Sequence, residues 1–187
     1  MERRRPTGVG STEGFSAMPS VNTATAGPSG AARMIRLEFA QKAFILDADR
    51  LLLVRKAASD PFHPGRWEVP GGRLEVAADL DLDDHIRREV WEEVGIKVDP
   101  GPPFHLWQWF MPDLGPPAGE RGGQVRVVAA ARHCRPASLD VSLEHQTDGD
   151  HLADCAWVPL GDLGGFELIP SLRPVMRVFL RLHPPAG

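Results

Sequence analysis

Cysteine is scarce in this chain, and the scarcity narrows its chemistry. Cys134 and Cys155 are the only two among 187 residues, too few for a disulfide framework or a zinc cluster. A reducing cytoplasm fits that usage. An excess of basic residues is missing too. The formal net charge is −4, which argues against a general nucleic-acid or anionic-membrane binder. No apolar run approaches the ~20 residues of a membrane-spanning helix, and no internal repeat occurs. A small-molecule nucleotide stays compatible with the negative balance, because a bound metal can carry the positive charge. Monomer and homodimer both remain open.

What is present has a globular balance, 42% hydrophobic and 25% charged, at a length that suits one domain with a sizeable core. Residues 1–33 are rich in Gly, Ser, Thr, Ala and Pro. That composition buries too little apolar surface to offset ordering, so it predicts a disordered tail before a domain over 34–187. From Ile35 the pattern changes. Ile35, Leu37 and Phe39 alternate with Arg36, Glu38 and Ala40 as in a half-buried strand. Two apolar runs, Ala43 to Leu46 and Leu51 to Val54, flank the polar stretch Asp47 to Arg50 and predict a hairpin with a four-residue turn. Arg66 to Gly72 reads as a short strand ending in a tight turn. Phe104 to Phe110 and Gln124 to Cys134 read as strands, as does Cys155 to Leu160. A last helix is expected with Ser171 as its cap, Leu172, Val175, Met176 and Phe179 on its apolar face, and Pro184 at its end.

The richest stretch is Arg88-Glu89-Val90-Trp91-Glu92-Glu93-Val94-Gly95-Ile96. On a helix it places Glu89, Glu92 and Glu93 at i, i+3 and i+4, three carboxylates on one face. They repel one another, and a hard divalent cation would turn that cost into a gain. Leu82, Ile86, Val90 and Val94 recur every four residues and predict the buried stripe. Asp81 is the expected N-cap, with Asp83 and Asp84 in the first turn, and Gly95 the C-terminal stop. The helix is therefore predicted over Leu82 to Val94. The aspartates do not form an EF-hand, since the sixth and twelfth positions counted from Asp79 are Asp84 and Val90 instead of Gly and Glu. Gly71 and Gly72, upstream of the helix, suggest a phosphate held close to the backbone.

These residues resemble the Nudix hydrolase signature, Gly-x5-Glu-x7-Arg-Glu-U-x-Glu-Glu-x-Gly-U, with U a bulky aliphatic. Its second half matches at every fixed position. At roughly 7% occurrence per fixed residue, five such matches arise by chance on the order of once per million windows. The first half departs from the pattern. Counted back from Arg88, the first Glu falls on Leu80 and the Gly on Leu74. A two-residue insertion within Glu75 to Leu80 restores the Gly at Gly72, with Asp79 or Asp81 near the missing Glu.

The resemblance implies an α/β fold of Nudix type, an α/β/α sandwich with a mixed sheet between helices. It also implies hydrolysis of a nucleoside diphosphate linked to another group. Mg²⁺ or Mn²⁺ would be held by Glu89, Glu92, Glu93 and a glycine carbonyl, that of Gly71 or Gly72, with Gly72 entering the metal set. Glu92, Glu93 or Glu144, the last in the polar loop 135–153, would supply the catalytic carboxylate. Arg88 would orient the carboxylates, Arg55 would contact phosphate, and Trp107 and Trp109, which share a strand face, would stack on a base. Pro112, sixteen residues after Ile96, resembles a mark of ADP-ribose pyrophosphatases, whereas Val69-Pro70-Gly71-Gly72 resembles the entry seen in nucleoside-triphosphate members. Tyrosine is absent throughout, which removes the mark of some dinucleoside polyphosphate hydrolases. A catalytically weak nucleotide-binding sensor is the alternative, motivated by the missing Glu.

Overall fold

Leu51, Leu52, Leu53 and Val54 are all fully buried, so the strand that carries them has no solvent face and must lie inside a layered structure. The computed structural model describes residues 35–75, 81–112, 124–147 and 149–185. They belong to one unit, Arg33–Gly187, and the tail expected over 1–33 lies outside them. The chain runs β1 (Ile35–Asp47), β2 (Arg50–Lys56), β3 (Trp67–Glu68), α1 (Leu82–Val94), β4 (Val98–Pro112), β5 (Gln124–Pro136), β6 (Leu152–Pro159), a 3-10 turn (Leu160–Gly165) and α2 (Arg173–Leu182).

Strand order is β3-β2-β1-β5-β4, with β6 on β2. The sheet is mixed. β1 and β5 pair in parallel from Ile35↔Gln124 to Ile45↔Cys134, and the other ladders are antiparallel. Alternate side chains point to opposite faces. Phe44, Leu51 and Leu53 therefore join the core formed with Leu172, Val175, Met176 and Phe179 of α2. Ala43, Ile45, Leu52 and Val54 join Ile86, Val90 and Val94 of α1 on the other side. A helix covers each face, the α/β/α sandwich that the resemblance implies. Each fully buried aliphatic side chain contributes about 1.5–3 kcal/mol.

Several local expectations change. The hairpin turn has two residues, Ala48 and Asp49, because Asp47 pairs with Arg50; Ala48 takes φ 53°. Leu37 is exposed despite the alternation, and so is Leu82, the outermost member of the helix stripe. β4 begins at Val98, ahead of Phe104. Proline supplies no N–H to a ladder, and the register shifts at Pro100/Pro103 and again at Pro103/His105. The second shift advances two residues on β4 for one on β5, so Phe104 and Trp107 both pack against the α2 core. Ser171 does not cap α2. The N-cap is Leu172, without a side-chain bond, while the Ser171 carbonyl accepts from Trp107 Nε1 at 2.9 Å.

Candidate active site

The glycines come first in placing the site. Segment 70–74 runs along β1, with Ala43 N–H donating to Pro70 O (2.8 Å), Gln41 N–H to Gly72 O (3.0 Å) and Leu74 N–H to Phe39 O (2.8 Å). Gly71 takes φ 116°, a conformation that glycine adopts at little cost. A Cβ there would stand 2.4 Å from the Gln41 carbonyl oxygen. At Gly72 a Cβ would stand 2.1 Å from Glu89 Oε2. Both glycines therefore let α1 and β1 approach the loop closely.

α1 forms where the pattern places it. Asp81 accepts from the N–H groups of Asp83 and Asp84 at 2.7 and 3.1 Å, and Gly95 closes the helix at φ 69°. Asp81 is held below the usual carboxylate range by those two backbone bonds. The stripe Ile86, Val90 and Val94 anchors the helix and turns Glu89, Glu92 and Glu93 into a cavity of about 910 Å³. Gly71, Gly72, Trp107 and Trp109 line the same cavity. The tryptophans lie near-parallel with centroids 5.8 Å apart.

Burial disfavours the charged forms of Glu89 and Glu93. It pushes Glu89 up to about 7 despite the positive charges of Arg88 and Lys42, and Glu92 and Asp150 add to the rise. Glu93, 4% exposed, is also raised by burial, against the pull of Lys42 and Lys56. The Gly71 N–H donates to Glu93 Oε2 at 2.7 Å. Arg88 bridges Glu89 at 2.9 Å and Glu92 at 2.8 Å. With those partners, no three acidic or imidazole groups among the described residues converge on one ion-sized point. The donor set still fits a hard cation: desolvated carboxylates beside backbone carbonyls, with too little positive charge to keep them at ordinary acidity.

Two expected residues are placed elsewhere. Arg55 pairs with Asp154 at 3.2 Å and lies over the Trp67 ring, outside the cavity lining. β2 alternates, so the neighbouring Lys56 takes the inward place and lines the cavity. Glu144 is exposed and also outside the lining. Its loop is pinned to the far end of α1, where Ser142 N–H donates to Val94 O at 3.0 Å and His145 stacks on Trp91. From the same region it is Asp150 that reaches the cavity.

Sequence reasoning also missed a buried polar group. Lys42 donates to Glu68 at 2.6 Å and to the Gly71 carbonyl, and Lys56 pairs with Glu68 at 3.0 Å. Burial works against the Glu68 charge, but Lys42 and then Lys56 outweigh it and hold this carboxyl well below its usual range. Lys56 is raised, since Glu68 and then Glu93 overcome the effect of burial. Gln41, His85 and Arg132 form a second buried set, with Gln41 Nε2 2.8 Å from His85 Nδ1 and Arg132 Nη1 donating to Gln41 Oε1 at 3.2 Å. The available signal was Gln41, which falls on the apolar phase set by Ile35, Leu37 and Phe39, whereas Lys42 falls on the polar phase and gave none. His63 lines the cavity as well.

The sequence profile of the NUDIX domain matches residues 38–182. The chain belongs to the Nudix hydrolase family. It is 29% identical over 125 residues to a nucleoside triphosphatase NudI of Klebsiella pneumoniae, covering 65% of this chain and 82% of the relative. A MutT-like protein of Streptomyces ambofaciens is 46% identical over 50 residues, a stretch that covers 27% of this chain and 28% of that protein. Among solved structures, a MutT protein from Methanosarcina mazei superposes with a TM-score of 0.58 at 22% identity, covering 83% of this Nudix chain and 99% of the other. A NUDIX hydrolase from Nitrosomonas europaea gives 0.56 at 16% identity, covering 80% and 93%. These structural likenesses concern the fold.

Proposed function

We propose that this Nudix enzyme hydrolyses the pyrophosphate bond of a nucleoside diphosphate linked to another group, with divalent ions held by Glu89, Glu92 and Glu93. The observation that carries the proposal is the shared cavity, where three α1 carboxylates, two close-packed glycines and the Trp107–Trp109 pair all meet. Mg²⁺ or Mn²⁺ bound there would neutralise the diphosphate and lower the pKa of a bound water. Glu89, Glu92 and Glu93 would be the carboxylate ligands, while the Gly72 carbonyl expected among them accepts from Gln41 N–H on β1. An ion would also pull the raised carboxyls back towards ordinary acidity.

The chain's own groups then have definite tasks. Trp107 and Trp109 offer ring faces for a base, and Lys42 and Lys56 bring positive charge to the phosphate side. Arg88 orients Glu89 and Glu92. Water attacks one phosphorus, the bond from that phosphorus to the bridging oxygen breaks, and the water's proton passes to a carboxylate oxygen, a role we assign to Glu92 or Glu93. Glu144 would need its loop to leave α1 before it could serve, so Asp150 takes its place as the candidate from that region.

For the substrate, a nucleoside triphosphate is favoured. The Klebsiella relative carries that description, and Val69-Pro70-Gly71-Gly72 resembles triphosphate-acting members. ADP-ribose and nucleotide sugars are the next candidates. The setting we propose is cytoplasmic, with both cysteines free. Among the described residues no helix is long and apolar enough to cross a membrane. A panel of nucleoside triphosphates, ADP-ribose and nucleotide sugars, each incubated with Mg²⁺ or Mn²⁺, tests the proposal. Cleavage of at least one triphosphate to a nucleoside monophosphate is expected. Binding without turnover across the whole panel would leave a nucleotide sensor in place of the hydrolase.

A further inference from the structure

Lys42 projects from β1 on the face shared by Glu38 and Ala40, and all three line the cavity. It is 7% exposed. A buried ammonium is costly unless it is paired and hydrogen-bonded. Its Nζ donates to Glu68 Oε2 at 2.6 Å and to the Gly71 carbonyl oxygen. Pairing with Glu68 alone does not account for it, because Lys56 already meets the other Glu68 oxygen at 3.0 Å. Glu68 thus has two cations, one on each carboxylate oxygen. A carboxylate oxygen and a backbone carbonyl around one point, with further carboxylates close by, is an oxygen set of the kind a hard divalent ion takes.

We infer that the Lys42 ammonium is a resident cation of the carboxylate site, filling a position that a divalent ion would otherwise occupy. The inference rests on the metal-binding reading proposed above. Wild type should consequently bind one ion fewer than its oxygen donors could hold. Lys42→Arg keeps the charge and should keep the wild-type count. Lys42→Met removes the charge and leaves room for an ion.

The test is Mn²⁺ binding to the full chain, followed by the loss of the free-ion signal in electron paramagnetic resonance. Wild type and Lys42→Arg are expected to share one stoichiometry, and Lys42→Met to bind one more Mn²⁺ per chain. Equal stoichiometry and affinity in wild type and Lys42→Met would overturn the inference while leaving the metal-binding reading standing. No Mn²⁺ binding by wild type would remove both. If Lys42→Met is unfolded without metal, Mn²⁺ is expected to restore its far-ultraviolet circular dichroism, and failure to do so overturns the inference.

Discussion

Glu89 and Glu93 combine two demands that oppose each other. Their burial disfavours the charged form, while binding a cation requires it. For Glu89 the folded value of about 7 lies above the unfolded one near 4.5. Between those values the folded state holds more protons, so metal-free stability falls as pH rises from 4.5 through 7. The upper limit of the effect is on the order of 3 kcal/mol. Thermal unfolding in EDTA should give a higher melting temperature at pH 5.5 than at pH 8. Added Mg²⁺ should raise it more at pH 8, because protons compete with the ion. A melting temperature independent of pH in EDTA would contradict this account of Glu89. Glu89→Gln removes the same desolvated charge and should melt no lower than wild type at pH 8, while losing about 10²–10⁴-fold in kcat.

At the scale of elements, the glycine segment and α1 form one device. Gly72→Ala drives a Cβ into Glu89 Oε2, the end of a movable side chain, so turnover should fall more than stability. Gly71→Ala drives a Cβ into the backbone carbonyl of Gln41 at positive φ, where neither partner can yield. Its cost should be about 2–4 kcal/mol in denaturant unfolding. If Gly72→Ala proves the more destabilising of the two, the packing argument is wrong.

α1 was legible in sequence because its cap, period and stop all agree with one helix from Asp81 to Gly95. The parallel pairing of β1 with β5 was not, since alternation fixes a strand's faces and not its neighbour. For the same reason Arg55 was the expected phosphate contact, and only the ladder shows that Lys56 takes the inward place. Gln41 interrupts an apolar pattern, and the pairs Gly71–Glu93, Lys42–Glu68 and Gln41–His85 lie 22, 26 and 44 residues apart in the chain. No local rule joins such pairs.

At the scale of the whole molecule, the sandwich separates stability from chemistry. The cores on the two sheet faces are built from aliphatic and aromatic side chains, and the cavity between the glycine segment, α1 and β4 gathers the carboxylates and lysines. Trp109→Ala should therefore raise KM for a nucleotide by the equivalent of about 1–3 kcal/mol and lower the melting temperature less than Trp107→Ala does. Trp107→Ala should cost stability as well, because its Nε1 ties β4 to the Ser171 carbonyl. Equal KM for wild type and Trp109→Ala would remove the stacking role.

The central claim is that the α1 carboxylates and a divalent ion together perform the hydrolysis. The most direct measurement is turnover of one nucleoside triphosphate by wild type, Glu92→Gln and Glu93→Gln, each with Mg²⁺ and with EDTA. The account predicts monophosphate release only by wild type with Mg²⁺, at a rate about 10²–10⁴-fold above either folded variant. Equal turnover in EDTA, or a fully active Glu93→Gln, would contradict it.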